Sequence, residues 1–137
     1  MSQENVEIVR QAYGSPGLFT DERYVAADVE IDFSDVYPDQ PVVRNIEEMR
    51  AFADAGPWGR SVRLEPQRYV DVDEDRVLVL VRVMATGTGS RVPVEIRVAH
   101  EFLLRDGLIA QVKVHRDQSL ALKAVGLGGG TQPTECR

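Results

Sequence analysis

The chain is short of cysteine, of basic charge and of long apolar runs, and each shortage removes a class of function. One cysteine, Cys136, occurs in 137 residues, next to the C-terminus. A disulfide framework is therefore excluded, and the content fits a reducing cytoplasm. Acidic residues outnumber basic ones by 22 to 16, a formal net charge of −6. Nucleic-acid binding needs a basic stripe, whereas the lysines and arginines here are scattered, with one short cluster around Arg60 and Arg63. No apolar stretch approaches the roughly 18 residues of a membrane span. The start "MSQENVEIVR" is helical in pattern and has no cationic segment ahead of an apolar one, so no signal peptide is expected. Nucleophile elbow, phosphate loop and dinucleotide fingerprint are all missing. "DVDED" (71–75) begins like a calcium loop, but Arg76 and Arg82 stand where that loop needs Gly and Glu.

What remains is an ordinary globular composition, 43% hydrophobic and 28% charged, in a length that suits one domain. Residues 3–13 read as a helix: Val6, Val9 and Tyr13 make an apolar stripe at spacings of three and four. "GSPG" stops it, and a second short helix is expected after Thr20. "VEIDF" (29–33) alternates as a half-buried strand does. "NIEE" (45–48) is a capping box, in which Asn45 accepts from the third helical amide and Glu48 reaches back. Ile46, Met49 and Phe52 form that helix's buried stripe. Strands are expected over 62–72, 76–87, 92–105 and 108–116, and a short closing helix over 118–127. "GGGTQPTECR" (128–137) has little to bury and is expected to be a disordered tail after a single domain, 1–127. Helices first and an antiparallel sheet last argue for an α+β fold with the helices on one face of a curved sheet.

The last hairpin holds both histidines. Val94, Ile96, Val98, His100, Phe102 and Leu104 share even parity, as do Ala110, Val112 and Val114 across the turn. A two-residue Asp106-Gly107 loop would match even with odd, so the pattern favours a three-residue loop that pairs 104 with 108. His100 then faces the apolar side, and His115 with Asp117 faces the other. Those two alone make no metal site, since zinc needs three or four ligands.

The pieces "QENVEIVRQAY", "AADVEIDF", "VVRNIEEMRAF", "DRVLVLVRVMATGTGS", "VAHEFLLRDGLI" and "SLALKAVGL" occur in an order that resembles the SnoaL-like polyketide cyclases. These belong to the nuclear-transport-factor-two-like superfamily, which includes ketosteroid isomerase. The resemblance covers the chain to about residue 127. It implies a cone: a curved, mostly antiparallel sheet wrapped around three N-terminal helices, with an internal pocket and dimerisation through the outer sheet face. It places His100 where the cyclases carry a pocket histidine and where ketosteroid isomerase carries its oxyanion-hole acid. The cyclases' acid/base carboxylate falls at Val114, the isomerase's general base at Phe33, and its helix-one tyrosine beside Tyr13.

His100 is thus a candidate general acid/base or oxyanion donor, or else a core histidine satisfied by one hydrogen bond. Tyr13, Phe33, Trp58, Phe102 and Val114 either line a pocket for a flat apolar ligand or are plain core, and Arg116 is placed to hold an anionic group or to lie in solvent. The function expected is binding of a small, largely apolar molecule by a cytoplasmic homodimer that needs no cofactor or metal and binds neither nucleic acid nor membrane. Its chemistry, if it has any, is isomerisation, cyclisation or hydration by proton transfer. The alternative is a noncatalytic dimeric ligand-binding or interaction module with a vestigial pocket.

Overall fold

The computed structural model describes residues 2–15, 19–36, 42–55, 63–86 and 93–126. Its elements are α1 (Ser2–Gly14), β1 (Val25–Asp32), α2 (Ile46–Ala55), β2 (Arg63–Asp71), β3 (Arg76–Thr86), β4 (Pro93–Arg105), β5 (Leu108–His115) and α3 (Gln118–Ala124). The five strands form one curved sheet in the order β1-β5-β4-β3-β2, antiparallel except where β1 runs parallel to β5. The fold is α+β, as the order of elements implies. Trp58 and the tail from Gly128 lie outside the described residues.

Period-two patterning explains the two layers. Val77, Val79 and Val81 of β3, Val98, Phe102 and Leu104 of β4, Val112 and Val114 of β5, and Val29 and Ile31 of β1 all project to the concave face. There they pack against Val9 and Ala12 of α1 and Ile46 and Met49 of α2. Burying each such side chain stabilises the fold by about 1.5–3 kcal/mol before entropy is counted. Asn45 caps α2 through its side-chain oxygen, which accepts from the Glu48 amide at 2.8 Å, but Glu48 reaches back to the Arg44 amide (3.0 Å) rather than to Asn45.

Two helix expectations are corrected. No helix forms after Thr20: residues 22–24 make a turn, closed by the Val25 amide on the Asp21 carbonyl at 2.9 Å, and β1 starts at once. Asp21 holds that turn by accepting from Ser15 Oγ and from the Arg23 amide and guanidinium. The third helix is C-terminal, not N-terminal, and it packs on the opposite sheet face: Ala121, Leu122 and Val125 cover Val70, Leu78, Leu80 and Ala99. Asp117 caps it by accepting from the Leu120 amide, and Gln118 Nε2 donates to the Val98 carbonyl, which β5 is too short to reach. Gly126, at φ 85°, ends it in the left-handed conformation that favours glycine.

The β4–β5 hairpin closes differently from the expectation but with the same outcome. The loop has two residues, not three: Asp106 (φ 55°) and Gly107 (φ 78°) are both left-handed, and Arg105 pairs with Leu108. A two-residue turn with both central φ positive matches the right-handed twist of the flanking strands. The parity mismatch this creates is removed one step later, because Leu104 pairs with Ile109 but Leu103 with Gln111. Ala110 is the extra residue of a bulge, and beyond it even residues face even. His100 therefore lies opposite Val114 on the concave face, and Ala99 opposite His115 on the outer face.

Candidate functional site

His100 is the one buried polar or charged side chain among the described residues, 3% exposed. The β3–β4 and β4–β5 registers set it between Val79 and Val114. Its Nδ1 lies 2.6 Å from Tyr13 Oη, a contact spanning 87 residues of chain. Tyr13 reaches it from the last turn of α1, because the Val6–Val9–Tyr13 stripe turns that face of the helix onto the sheet. Aromatic rings surround the pair. Phe19 meets His100 edge to face at 5.4 Å, and Phe102 meets both Tyr13 and His100 in the same way at 5.8 and 6.0 Å. Tyr69 stands at right angles to Tyr13, and Phe33 stacks on Phe52 at 4.6 Å and meets Phe19 at 6.5 Å.

Burial sets the protonation states. It pushes the His100 pKa down to about 3, with the charge of His115 adding to the effect, and it pushes the Tyr13 hydroxyl well above its ordinary value. Both groups are neutral at pH 7. No carboxylate is hydrogen-bonded to His100 among the described residues: Asp32 accepts from the Ser34 amide, and Asp35 accepts from the Arg116 amide. The site is thus a neutral hydrogen-bonded pair inside an aromatic wall, able to orient or polarise an oxygen but unable to supply an ionised acid.

The structure brings Tyr13, Phe33, Phe102, Val114 and His100 together on the concave face. It does not bring in Arg116, whose side chain is exposed. Phe19, Phe52 and Tyr69 belong to the ring cluster although the sequence marked none of them as site residues. Phe52 had a helical-stripe signal, whereas Tyr69 had none, because the alternation of β2 shifts between Pro66 and Arg68, and Phe19 had none because it sits in a turn.

The outer face carries a different constellation. His115 Nε2 donates to Glu101 at 2.8 Å, and Arg76 reaches the other Glu101 oxygen at 3.3 Å. The bond from His115 is the chief reason that the Glu101 carboxyl lies below its usual range. Arg76 and Glu101 border a recess of about 360 Å³ that Glu30, Asp32, Gln111 and Lys113 also line. Asp117, expected beside His115, instead serves as the cap of α3. Packing of α3 leaves Leu78 of this face fully buried. Arg82 lies on the same face, in ion pairs with Glu65 and Glu95.

Residues 44–116 match a family model described as a domain of unknown function (DUF8021). No curated protein matches the chain in sequence. Several solved structures share the fold. One described as a SnoaL-like polyketide cyclase, from Jannaschia Sp. CCS1, superposes with a TM-score of 0.66 at 18% identity, covering 93% of this chain and 94% of its own. The epoxide hydrolase/cyclase-like enzyme SalBIII, of pyran ring formation in the polyether salinomycin, gives 0.67 at 19% identity over 86% and 95%. A protein with a ketosteroid isomerase-like fold from Catenulispora acidiphila DSM 44928, in complex with trimethylamine, gives 0.59 at 18% over 89% and 92%.

Proposed function

Because the chain belongs to the DUF8021 family of domains of unknown function, its activity has to be read from its own residues, and we propose that it binds a small, largely apolar molecule against the concave face of its sheet, with His100 as the polar anchor. The observation that carries this is the buried Tyr13–His100 pair within the ring cluster. A polar group in an apolar wall costs stability unless it is fully paired, and ligand sites are built from apolar walls with few convergent polar groups. A neighbour of the same fold in complex with a small molecule supports the reading. Turnover, in this reading, is a cofactor-independent isomerisation, cyclisation or hydration in which His100 steadies developing negative charge on a substrate oxygen. Tyr13, Phe33, Phe102 and Val114 supply the apolar contacts.

A second reading, binding without turnover, is favoured by one observation. Phe33 and Val114, where the relatives' proton-transfer carboxylates would fall, are buried apolar wall at 8% and 4% exposure. The protein is further proposed to act in the cytoplasm as a homodimer that pairs through the outer sheet face, where Met84 and Leu103 remain part-exposed. Light scattering at micromolar concentration should give twice the chain mass, and monomer alone would contradict the dimer. The function itself is tested by mass spectrometry of small molecules released when the purified protein is denatured. A neutral apolar compound carried by the wild type and lost in His100→Leu is the expected result. No carried compound, and no thermal stabilisation by flat apolar probes, would overturn it.

A further inference from the structure

We propose that Tyr13 is a positioning residue that holds His100 as its Nε2–H tautomer, and that the ligand is therefore a neutral molecule presenting a carbonyl-type oxygen to that N–H. The proposal deepens the small-molecule reading above and rests on it for the ligand class, though not for the role of Tyr13.

The 2.6 Å contact between Tyr13 Oη and His100 Nδ1 holds one proton, which has two places to sit. If Nδ1–H donated to the phenol, the Tyr13 O–H and the Nε2 lone pair would both be left without partners. If the phenol donates to Nδ1, Nε2–H alone is left over. Neither side chain has another hydrogen-bond partner among the described residues. An unpaired buried polar group costs about 1–3 kcal/mol, so the arrangement with fewer of them prevails. Intrinsic chemistry agrees, since a phenol is the better donor of the two and an imidazole nitrogen the better acceptor. Burial keeps the phenol protonated.

What is left is a buried donor, Nε2–H, aimed from a ring only 3% exposed, with no protein acceptor among the described residues. A ligand acceptor completes it. The surrounding wall of Phe19, Phe102 and Tyr13 offers nothing to balance an anion. The guanidinium in this cluster, Arg10, is committed to the Tyr69 ring at 4.5 Å. A cationic donor finds no imidazole lone pair, because Nδ1 accepts from Tyr13 and Nε2 carries the proton. His100 thus donates and does not abstract, and Tyr13 acts through His100 rather than on the ligand.

The test has two arms on the full chain. Two-bond proton–nitrogen NMR of the uniformly labelled wild type at pH 7 reads the tautomer directly: protonated Nε2 is expected, and protonated Nδ1 overturns the proposal. The second arm compares binding of 2-acetylnaphthalene, its hydrocarbon isostere 2-isopropylnaphthalene, and 2-naphthoate. The ketone's affinity relative to the hydrocarbon should fall about three- to tenfold in Tyr13→Phe. A purely structural role for Tyr13 would weaken both equally and leave that ratio unmoved, which would overturn the proposal, as would tighter binding of the carboxylate. If Tyr13→Phe fails to fold, the wild-type tautomer and the wild-type order of the probes still decide. Failure of all three probes to bind would overturn the ligand class and the small-molecule reading together, and the tautomer alone would then decide the role of Tyr13.

Discussion

Two histidines of one hairpin sit on neighbouring strands, one on each face of the same sheet, and they live in different chemistry. His100 faces rings, bonds a phenol and is held neutral by burial. His115 faces a carboxylate and a guanidinium, and is a partner to charge. Their neighbours Ala99 and Val114 make the point sharper: each histidine stands one residue from the strand partner of the other. Sheet side, not sequence neighbourhood, decides what an imidazole does here, and a one-residue slip would exchange the two environments. The concave face sets a neutral hydrogen-bonded pair among rings, and the outer face carries ion pairs and a covering helix.

The largest break in that contrast should come from the rings. Phe102 is fully buried and touches Tyr13, Phe19 and His100. Phe102→Ala should cost about 3–5 kcal/mol in urea unfolding, because the packed wall cannot close over the space. A loss below about 1 kcal/mol would mean that the wall is loose.

Next in size is acid. A histidine whose folded pKa is about 3 resists a proton that the unfolded chain accepts below about 6.5. The stability associated with it is fully present above about 6.5 and is lost as pH falls toward about 3, at up to about 1.4 kcal/mol per pH unit. His100→Gln, which keeps an acceptor for Tyr13, should flatten that part of the stability–pH curve. The same curve measured for His115→Gln should keep its slope, and a flattening there instead would reverse the two faces.

Smaller effects sharpen the outer face. Asp117→Ala removes the cap of α3 and should cost about 1 kcal/mol, with freer exchange of the amides of Leu120 and Ala121. No change would mean that α3 is held by its apolar contacts alone. Least of all, a chain ending at Leu127 should melt within about 5 °C of the full chain, as "GGGTQPTECR" has little with which to dock.

Most of the frame was legible because it is written in local periodicity. The spans of β2 to β5, the face of His100, the Asn45 cap and the stripe that presents Tyr13 all follow from residues within a few positions of one another, whereas β1 starts four residues before the alternation of 29–33. What escaped is of another kind. Ala110 is apolar and of even parity, so it read as part of the regular alternation and the bulge that rescues a two-residue turn was invisible, although Asp106-Gly107 is the dipeptide such turns prefer. Residues 21–24 have the composition of a helix start, but Asp21 commits its carboxylate to Ser15 and Arg23 and closes a single turn. The apolar side of α3 is evident in the sequence, but which sheet face it covers depends on residues over twenty positions away. The Tyr13–His100 bond joins groups 87 residues apart, so only the closed fold could show it.

The central claim is that His100 is a neutral group in an apolar site with no acidic partner. A proton–carbon NMR titration of its ring, assigned with His100→Asn, tests that most directly. His100 should stay unprotonated between pH 8 and pH 5, since its pKa is pushed down to about 3. Protonation of that ring at or above its ordinary value of about 6.5 would require a carboxylate beside it, and would contradict the account.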